Sequence, residues 1–297
     1  MDNLRGIGFM VLSMALFAVE DSFIKASSGH MPTGLILIVL GSCGAVFYAV
    51  LAARRGHRVV TPLLLTPPIL VRNLSELFGT MAFVTALSLI PLATAAAIVQ
   101  ATPLLMTLGA AVLLREPVGW RRWTAIWVGL SGVLLILRPG MDSFDPNALF
   151  AVLGVLALAA RDLGARYVPR DVSNLVLSCY GFASVVPAGV LLLLISGDWP
   201  AWPGAMPAAL LAGAVIFGVA GYYGITIATR TGDVSVVTPF RYTRLLFAMI
   251  LGALVFAELP DWPTLAGAAI IIVTGVYTLL REARLRRAQR AAAGARR

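Results

Sequence analysis

Apolar residues fall in long, nearly uninterrupted stretches, each closed by a short cluster of Gly, Pro or charged side chains. A hydrocarbon layer about 30 Å thick is crossed by roughly 20 helical residues rising about 1.5 Å each. Ten stretches meet that length, near 6–26, 33–53, 69–90, 92–114, 122–138, 148–168, 172–195, 208–229, 233–256 and 264–281. Separators such as Arg54-Arg55-Gly56-His57-Arg58, Arg138-Pro139-Gly140 and Asp198-Trp199-Pro200 have turn chemistry. The pattern predicts an all-α integral membrane protein with ten transmembrane helices. The first stretch exceeds a signal-peptide core, lacks an A-x-A cleavage site and carries Glu20 and Asp21, so it is expected to remain in the mature chain.

Composition narrows the reading. Of 297 residues, 59% are of the AVILMFWYC set and 12% are charged, which leaves too little charge to cover a soluble fold. A net charge of +9 is of the kind that attracts nucleic acid, but its distribution follows alternate loops. One side collects Arg5, Arg54, Arg55, Arg58, Arg115, Arg121, Arg122, Arg166, Arg170, Arg230 and the arginines of the tail from Arg281. The other side holds only Lys25 and Arg138, with Arg72, Arg161, Arg241 and Arg244 inside helices. The positive-inside rule then places both termini in the cytoplasm of a bacterial inner membrane, with no nucleic-acid partner. Trp120, Trp123, Trp127, Trp199, Trp202 and Trp262 lie in or near loops, where an indole N–H reaches the headgroups. The basic tail suits anionic lipid.

Metal and nucleotide chemistry finds little support. Cys43 and Cys179 sit in apolar runs and are expected to be buried structural thiols. His30 and His57 are loop residues, and the only lysine, Lys25, has no glycine-rich phosphate loop before it. No cofactor or metal is expected, and no ATP-driven pump.

The segment Leu108-Gly-Ala-Ala-Val-Leu-Leu-Arg-Glu-Pro-Val-Gly-Trp120 recurs as Leu251-Gly-Ala-Leu-Val-Phe-Ala-Glu-Leu-Pro-Asp-Trp262, so Glu116 and Trp120 map onto Glu258 and Trp262 at one offset of 142 positions. The copies end the fourth and ninth spans, which makes each half five spans long. Five is odd, so the halves are inverted with respect to each other. Such repeats place a binding site between the halves near the midplane, the geometry of alternating access.

Arg5-Gly6, Ala86-Leu-Ser-Leu-Ile-Pro-Leu-Ala-Thr-Ala-Ala-Ala97, Pro103-Leu104, Arg115-Glu116, Gly129, Gly132-Val133, Thr238-Pro239-Phe240, Glu258, Gly267 and Gly275-Val276 resemble the two halves of EamA-type members of the drug/metabolite transporter superfamily. The resemblance covers essentially residues 5–282 and implies two five-helix repeats, 1–140 and 148–282, followed by a basic tail at 283–297. It implies a secondary carrier of small metabolites such as amino acids or related zwitterions, likened to YddG-type aromatic amino-acid exporters. The charged run Pro239-Phe240-Arg-Tyr-Thr-Arg244 leaves open an uptake or exchange branch, such as S-adenosylmethionine carriers.

Ionisable groups within a membrane helix cost about 2.5–3.5 kcal/mol each on insertion scales, so they normally face a cavity or one another. Glu20, Asp21 and Lys25 end the first span; Arg72 and Glu76 lie in the third; Arg161 and Asp162 in the sixth; Arg241 and Arg244 in the ninth. Spacing allows Asp21–Lys25 and Arg72–Glu76 pairs, whereas the adjacent Arg161 and Asp162 diverge and are expected to find partners on other helices. Arg241 and Arg244 share a face without a nearby acid in their own helix, so they require Glu20, Glu76 or Asp162, or a substrate anion. Tyr222, Phe240 and Tyr242 are candidate walls, and Pro103 and Pro239 candidate hinges. The buried acids are candidates for coupling transport to protons. The expected partners are a small-molecule substrate and the bilayer, in a monomer or weak dimer. An intramembrane transferase is the competing class, but no Asp-x-x-x-Asp, His-x-x-Glu-His or G-x-S-x-G set occurs. A membrane scaffold is the third reading.

Overall fold

The structure is a computed structural model that describes residues 2–116, 119–169, 172–198 and 204–294, among which there is no β-strand. Helices α1 (Asp2–Ser28), α2 (Thr33–Arg54), α3 (Pro67–Leu89), α4 (Leu92–Val99), α5 (Thr102–Val112) and α6 (Trp120–Leu137) form the first half. Helices α7 (Ala148–Ala165), α8 (Asn174–Ser196), α9 (Ala205–Thr231), α10 (Val234–Val237), α11 (Thr243–Phe256) and α12 (Trp262–Gly294) form the second. Paired end to end, α4 with α5 and α10 with α11 make the fourth and ninth of ten spans. Among the described residues, eight spans are long and apolar enough to cross a membrane. The others, α3 and α6, are 23 and 18 residues long and dilute their apolar content with Arg72 and Glu76, and with Arg121 and Arg122.

The four largest helix interfaces are α1 on α9, α2 on α8, α3 on α7 and α6 on α12. Exchanging the halves turns α1 into α7 and α9 into α3, and maps this set onto itself. That closure is the signature of a two-fold relation between the repeats, and an odd span count puts its axis in the membrane plane. Two crossings next to the axis depend on bare backbone. A methyl on Gly34 would lie 2.6 Å from the Gly189 carbonyl oxygen, and one on Gly132 would lie 2.7 Å from that of Gly267. Small residues let membrane helices approach to direct van der Waals contact, where lipid cannot compete.

The repeat read from sequence is also geometric. Arg115 and Ala257 both adopt left-handed backbone, with φ of 53° and 54°. In each case the next amide turns back, Glu116 N–H to the Ala110 carbonyl at 3.1 Å and Glu258 N–H to the Gly252 carbonyl at 2.9 Å. Such caps satisfy carbonyls left open at a helix end.

Several expectations require correction. The stretches 92–114 and 233–256 are not continuous helices. The first breaks at Gln100–Ala101, just before Pro103, and the second passes through a 3-10 turn, Thr238–Tyr242, that contains Pro239. Proline withholds the N–H that a helical carbonyl needs, and the Val99 carbonyl instead accepts from the Thr102 hydroxyl at 2.5 Å. The last span continues beyond 281 as one helix to Gly294. Cys43 is exposed on α2, whereas Cys179 is buried. Trp199, Trp202 and Arg170 lie outside the described residues.

Candidate functional site

The two helix interruptions meet. The Gln100 side chain, buried at the break between α4 and α5, donates from Nε2 to the Arg241 carbonyl in the 3-10 turn at 3.2 Å. Unwound backbone at membrane depth is tolerated only where protein or a cavity satisfies it, and Gln100 does so for one carbonyl. Two charged clusters lie among the central spans, the first carried by α11 just after the 3-10 turn.

In the first, Arg244 on α11 grips Asp21 on α1. Its Nη2 donates to both carboxylate oxygens, at 2.8 and 2.7 Å, and its Nε donates at 3.1 Å. The guanidinium also lies over the Phe17 and Phe83 rings, 5.2 and 5.6 Å from their centroids, where the ring quadrupoles favour a cation. Glu20 is buried beside this pair against Gly218 of α9. Its carboxylate has no hydrogen bond or ion pair among the described residues.

In the second cluster, Arg161 on α7 donates to Glu76 on α3 at 3.0 and 3.3 Å, while its Nε donates to Asp162 at 2.9 Å. Arg72 reaches Glu76 at 3.9 Å and donates to Asn73 at 3.0 Å. Gly181 of α8 faces Arg72 and Glu76, and the next residue, Phe182, stacks on Tyr48 and meets Tyr222 edge-on. Glu76 and Phe83 are two turns apart on α3, so about 10 Å of helix separates the clusters.

Three pairings differ from expectation. Asp21 serves Arg244, not Lys25, and it was not among the acids proposed for the arginines. Arg161 does bond its neighbour Asp162, because the long guanidinium folds back across the divergence of the two Cα–Cβ directions. Glu76 binds Arg161 closely and Arg72 only at arm's length. The remaining candidates lie in or beside the two helix breaks. Arg241 is exposed and forms no ion pair among the described residues. Tyr242 is buried with its hydroxyl unbonded against Gly275 of α12. Phe240 and Pro239 line an apolar recess of about 380 Å³ with Val236, Val276, Leu280, Ala283 and Arg284. Pro103 stands just after the α4 break. Sequence reasoning missed Gln100, Phe17 and Phe83. Gln100 was detectable as an isolated amide in an apolar run, but nothing in the sequence singled out the two phenylalanines.

Outside the spans, Arg138 closes α6 in left-handed backbone and its guanidinium bonds Asp261, just before α12. That bond, with one from the Thr264 amide at 3.1 Å, holds the Asp261 carboxyl down at about 2. Among the described residues no three His, Cys, Asp or Glu side chains cluster as a metal site.

Comparison with known proteins agrees with this architecture. A model described as the EamA-like transporter family matches residues 4–138 and 146–281, one match per half. An S-adenosylmethionine uptake transporter of Rickettsia conorii is 29% identical over 72% of this chain and 71% of its own. A riboflavin transporter of Vibrio cholerae is 29% identical over 68% of this chain and 67% of its own. A pseudopaline exporter of Pseudomonas aeruginosa is 24% identical over 90% of this chain and 93% of its own. These names do not point to an aromatic amino-acid exporter. A solved crystal structure superposes with a TM-score of 0.60 at 22% identity, covering 95% of this chain and 98% of that one, which shows the shared fold.

Proposed function

The chain belongs to the EamA-like transporter family, and on that premise we propose that it is a secondary carrier that moves small zwitterions, amino acids or their derivatives, by alternating access across the bacterial inner membrane. Family and relatives alike are transporters rather than enzymes. The observation that carries the substrate reading is that two central charges are uncommitted: exposed Arg241 in the 3-10 turn, with no ion pair among the described residues, and buried Glu20 against Gly218 beside the Asp21–Arg244 pair, with no hydrogen bond or ion pair among them. The other charges of the two central clusters are engaged internally. A zwitterion supplies an anion for Arg241 and a cation for Glu20, and a proton on Glu20 would substitute for that cation between transport events.

A second reading has its own support. S-adenosylmethionine carries an amino-acid zwitterion and an additional sulfonium, and uptake transporters of that compound in two Rickettsia species are each 29% identical over 72% of this chain. The two readings share one site and differ in cargo and direction. A carrier works reversibly, so export or uptake follows from gradients and coupling rather than from the fold. Both termini are assigned to the cytoplasm on the arginine distribution.

Counterflow in proteoliposomes tests the proposal. Vesicles preloaded with unlabelled amino acid or S-adenosylmethionine should accumulate the labelled compound, and Glu20→Gln should abolish any dependence on an imposed pH gradient. No counterflow of either class, with the protein folded and inserted, refutes the zwitterion reading.

A further inference from the structure

At the two ends of the bundle stand ion pairs that the central site does not use. Lys25, in the last turn of α1, lies 3.0 Å from Glu258, which follows α11. Lys25 Nζ also donates to the Ile90 carbonyl at 2.6 Å, and the other Glu258 oxygen accepts from the Leu92 amide at 2.9 Å. Three elements are thereby tied together: the end of α1, the turn from α3 to α4, and the end of α11. Arg166, which caps α7, donates to Glu116, which follows α5, in a single bond of 3.3 Å. The Lys25 and Glu258 side chains are 13% and 25% exposed, and those of Arg166 and Glu116 31% and 42%.

These pairs are symmetry mates. Lys25 and Arg166 stand 141 positions apart, and Glu116 and Glu258 stand 142 apart. Both cations end the first span of a half, and both acids follow the left-handed residue that ends the fourth span. Because the halves are inverted, the pairs close opposite ends of the bundle. The Asp233 amide bonds Asn3 at 2.8 Å, which sets the start of α10 beside the start of α1. Glu258, one span later, is therefore at the end away from the N-terminus, and Glu116 is at the N-terminal end. The same offset carries Ile90 and Leu92 onto Gly232 and Val234, the turn that starts α10. In the present structure the Lys25 pair has its turn contacts, while the Arg166 pair is a lone bond in the open.

We propose that the two ion pairs are alternating latches of the transport cycle. Lys25–Glu258 is shut here and seals the end away from the N-terminus. In the opposite state Arg166 would reach the Gly232 carbonyl and Glu116 would cap the Val234 amide, while Lys25 and Glu258 separate. Each acid follows the half-helix beyond a break, α5 beyond Gln100 or α11 beyond the 3-10 turn, so rotation at the break moves the latch most, while Arg244, in the first turn of α11, stays near the pivot. The inference rests on the carrier reading for its cycle, but not on any particular cargo.

The test uses substrate-free protein in lipid nanodiscs, with Cys43→Ser and Cys179→Ser as background. Two buried reporters occupy symmetry-related positions, each three residues inside a latch cation: Ser22→Cys and Leu163→Cys. Reaction with a bulky polar maleimide is timed. Lys25→Gln or Glu258→Gln should speed labelling of Ser22→Cys by about tenfold or more and slow that of Leu163→Cys. Arg166→Gln or Glu116→Gln should not speed labelling of Ser22→Cys. The charge exchange Lys25→Glu with Glu258→Lys should restore the parent rate. If both reporters accelerate together, the pairs only hold the fold; if neither rate changes by as much as twofold, they do not gate. Either result overturns the proposal. Reciprocal accessibility without counterflow of any zwitterion would retain the latches and reject the cargo assignment.

Discussion

Removing both charges of the Asp21–Arg244 pair should damage the protein no more than removing either one alone. The side chains are 3% and 19% exposed, so solvent screens neither well, and each single substitution leaves an uncompensated charge among apolar helices. The expected cost is about 3–5 kcal/mol for Asp21→Asn or for Arg244→Gln. Asp21→Asn keeps the guanidinium over Phe17 and Phe83, whereas Arg244→Gln also forfeits those contacts, worth about 0.5–2 kcal/mol. The double variant removes the stranded charge, and its cost should stay near that of one single substitution. The coupling should therefore reach about 2 kcal/mol or more, in line with multiple charge-assisted bonds. Reversible unfolding in mixed micelles, fitted as a double-mutant cycle, measures it. Additivity within about 0.5 kcal/mol would show that the pair is not a unit, and the division of the central charges into committed and uncommitted sets would fail with it.

Three further outcomes follow from other contacts. Arg241→Gln should weaken apparent substrate affinity by about tenfold or more, the loss of a charge-assisted bond of roughly 1.5–3 kcal/mol, while leaving unfolding unchanged because the side chain is exposed; equal counterflow in variant and parent would remove Arg241 from the site. Asp261 has its carboxyl depressed from 3.8 to about 2, so the stabilisation it contributes is complete above 3.8 and is withdrawn as pH falls toward 2; thermal midpoints across that window should fall less in Asp261→Asn than in the parent. Gly132→Ala should destabilise by about 1–3 kcal/mol through overpacking against the Gly267 carbonyl, and an unchanged unfolding midpoint would show that the α6–α12 crossing can relax.

The span count, the all-helical class, the inverted repeat and the family were legible in sequence because each depends on a local or periodic property. Apolar runs of membrane length report spans directly, and the Glu116/Glu258 repeat reports a backbone cap that the structure reproduces atom for atom. The bearers of charge were legible too, since ionisable residues in a membrane segment are conspicuous. Which charge meets which was not. Asp21 and Lys25 are four apart on one helix, yet they part to Arg244 and Glu258, because the approach of α1 to α11 and to the α3–α4 turn offers each a partner with additional hydrogen bonds. Helical spacing describes one cylinder, whereas these pairings arise between cylinders, α1 and α11, brought together only by the packed halves. The helix breaks show the same division. Pro103 and Pro239 announced a disturbance, but only the packed halves brought Gln100 to the Arg241 carbonyl, and with it the place where the fourth and ninth spans unwind together.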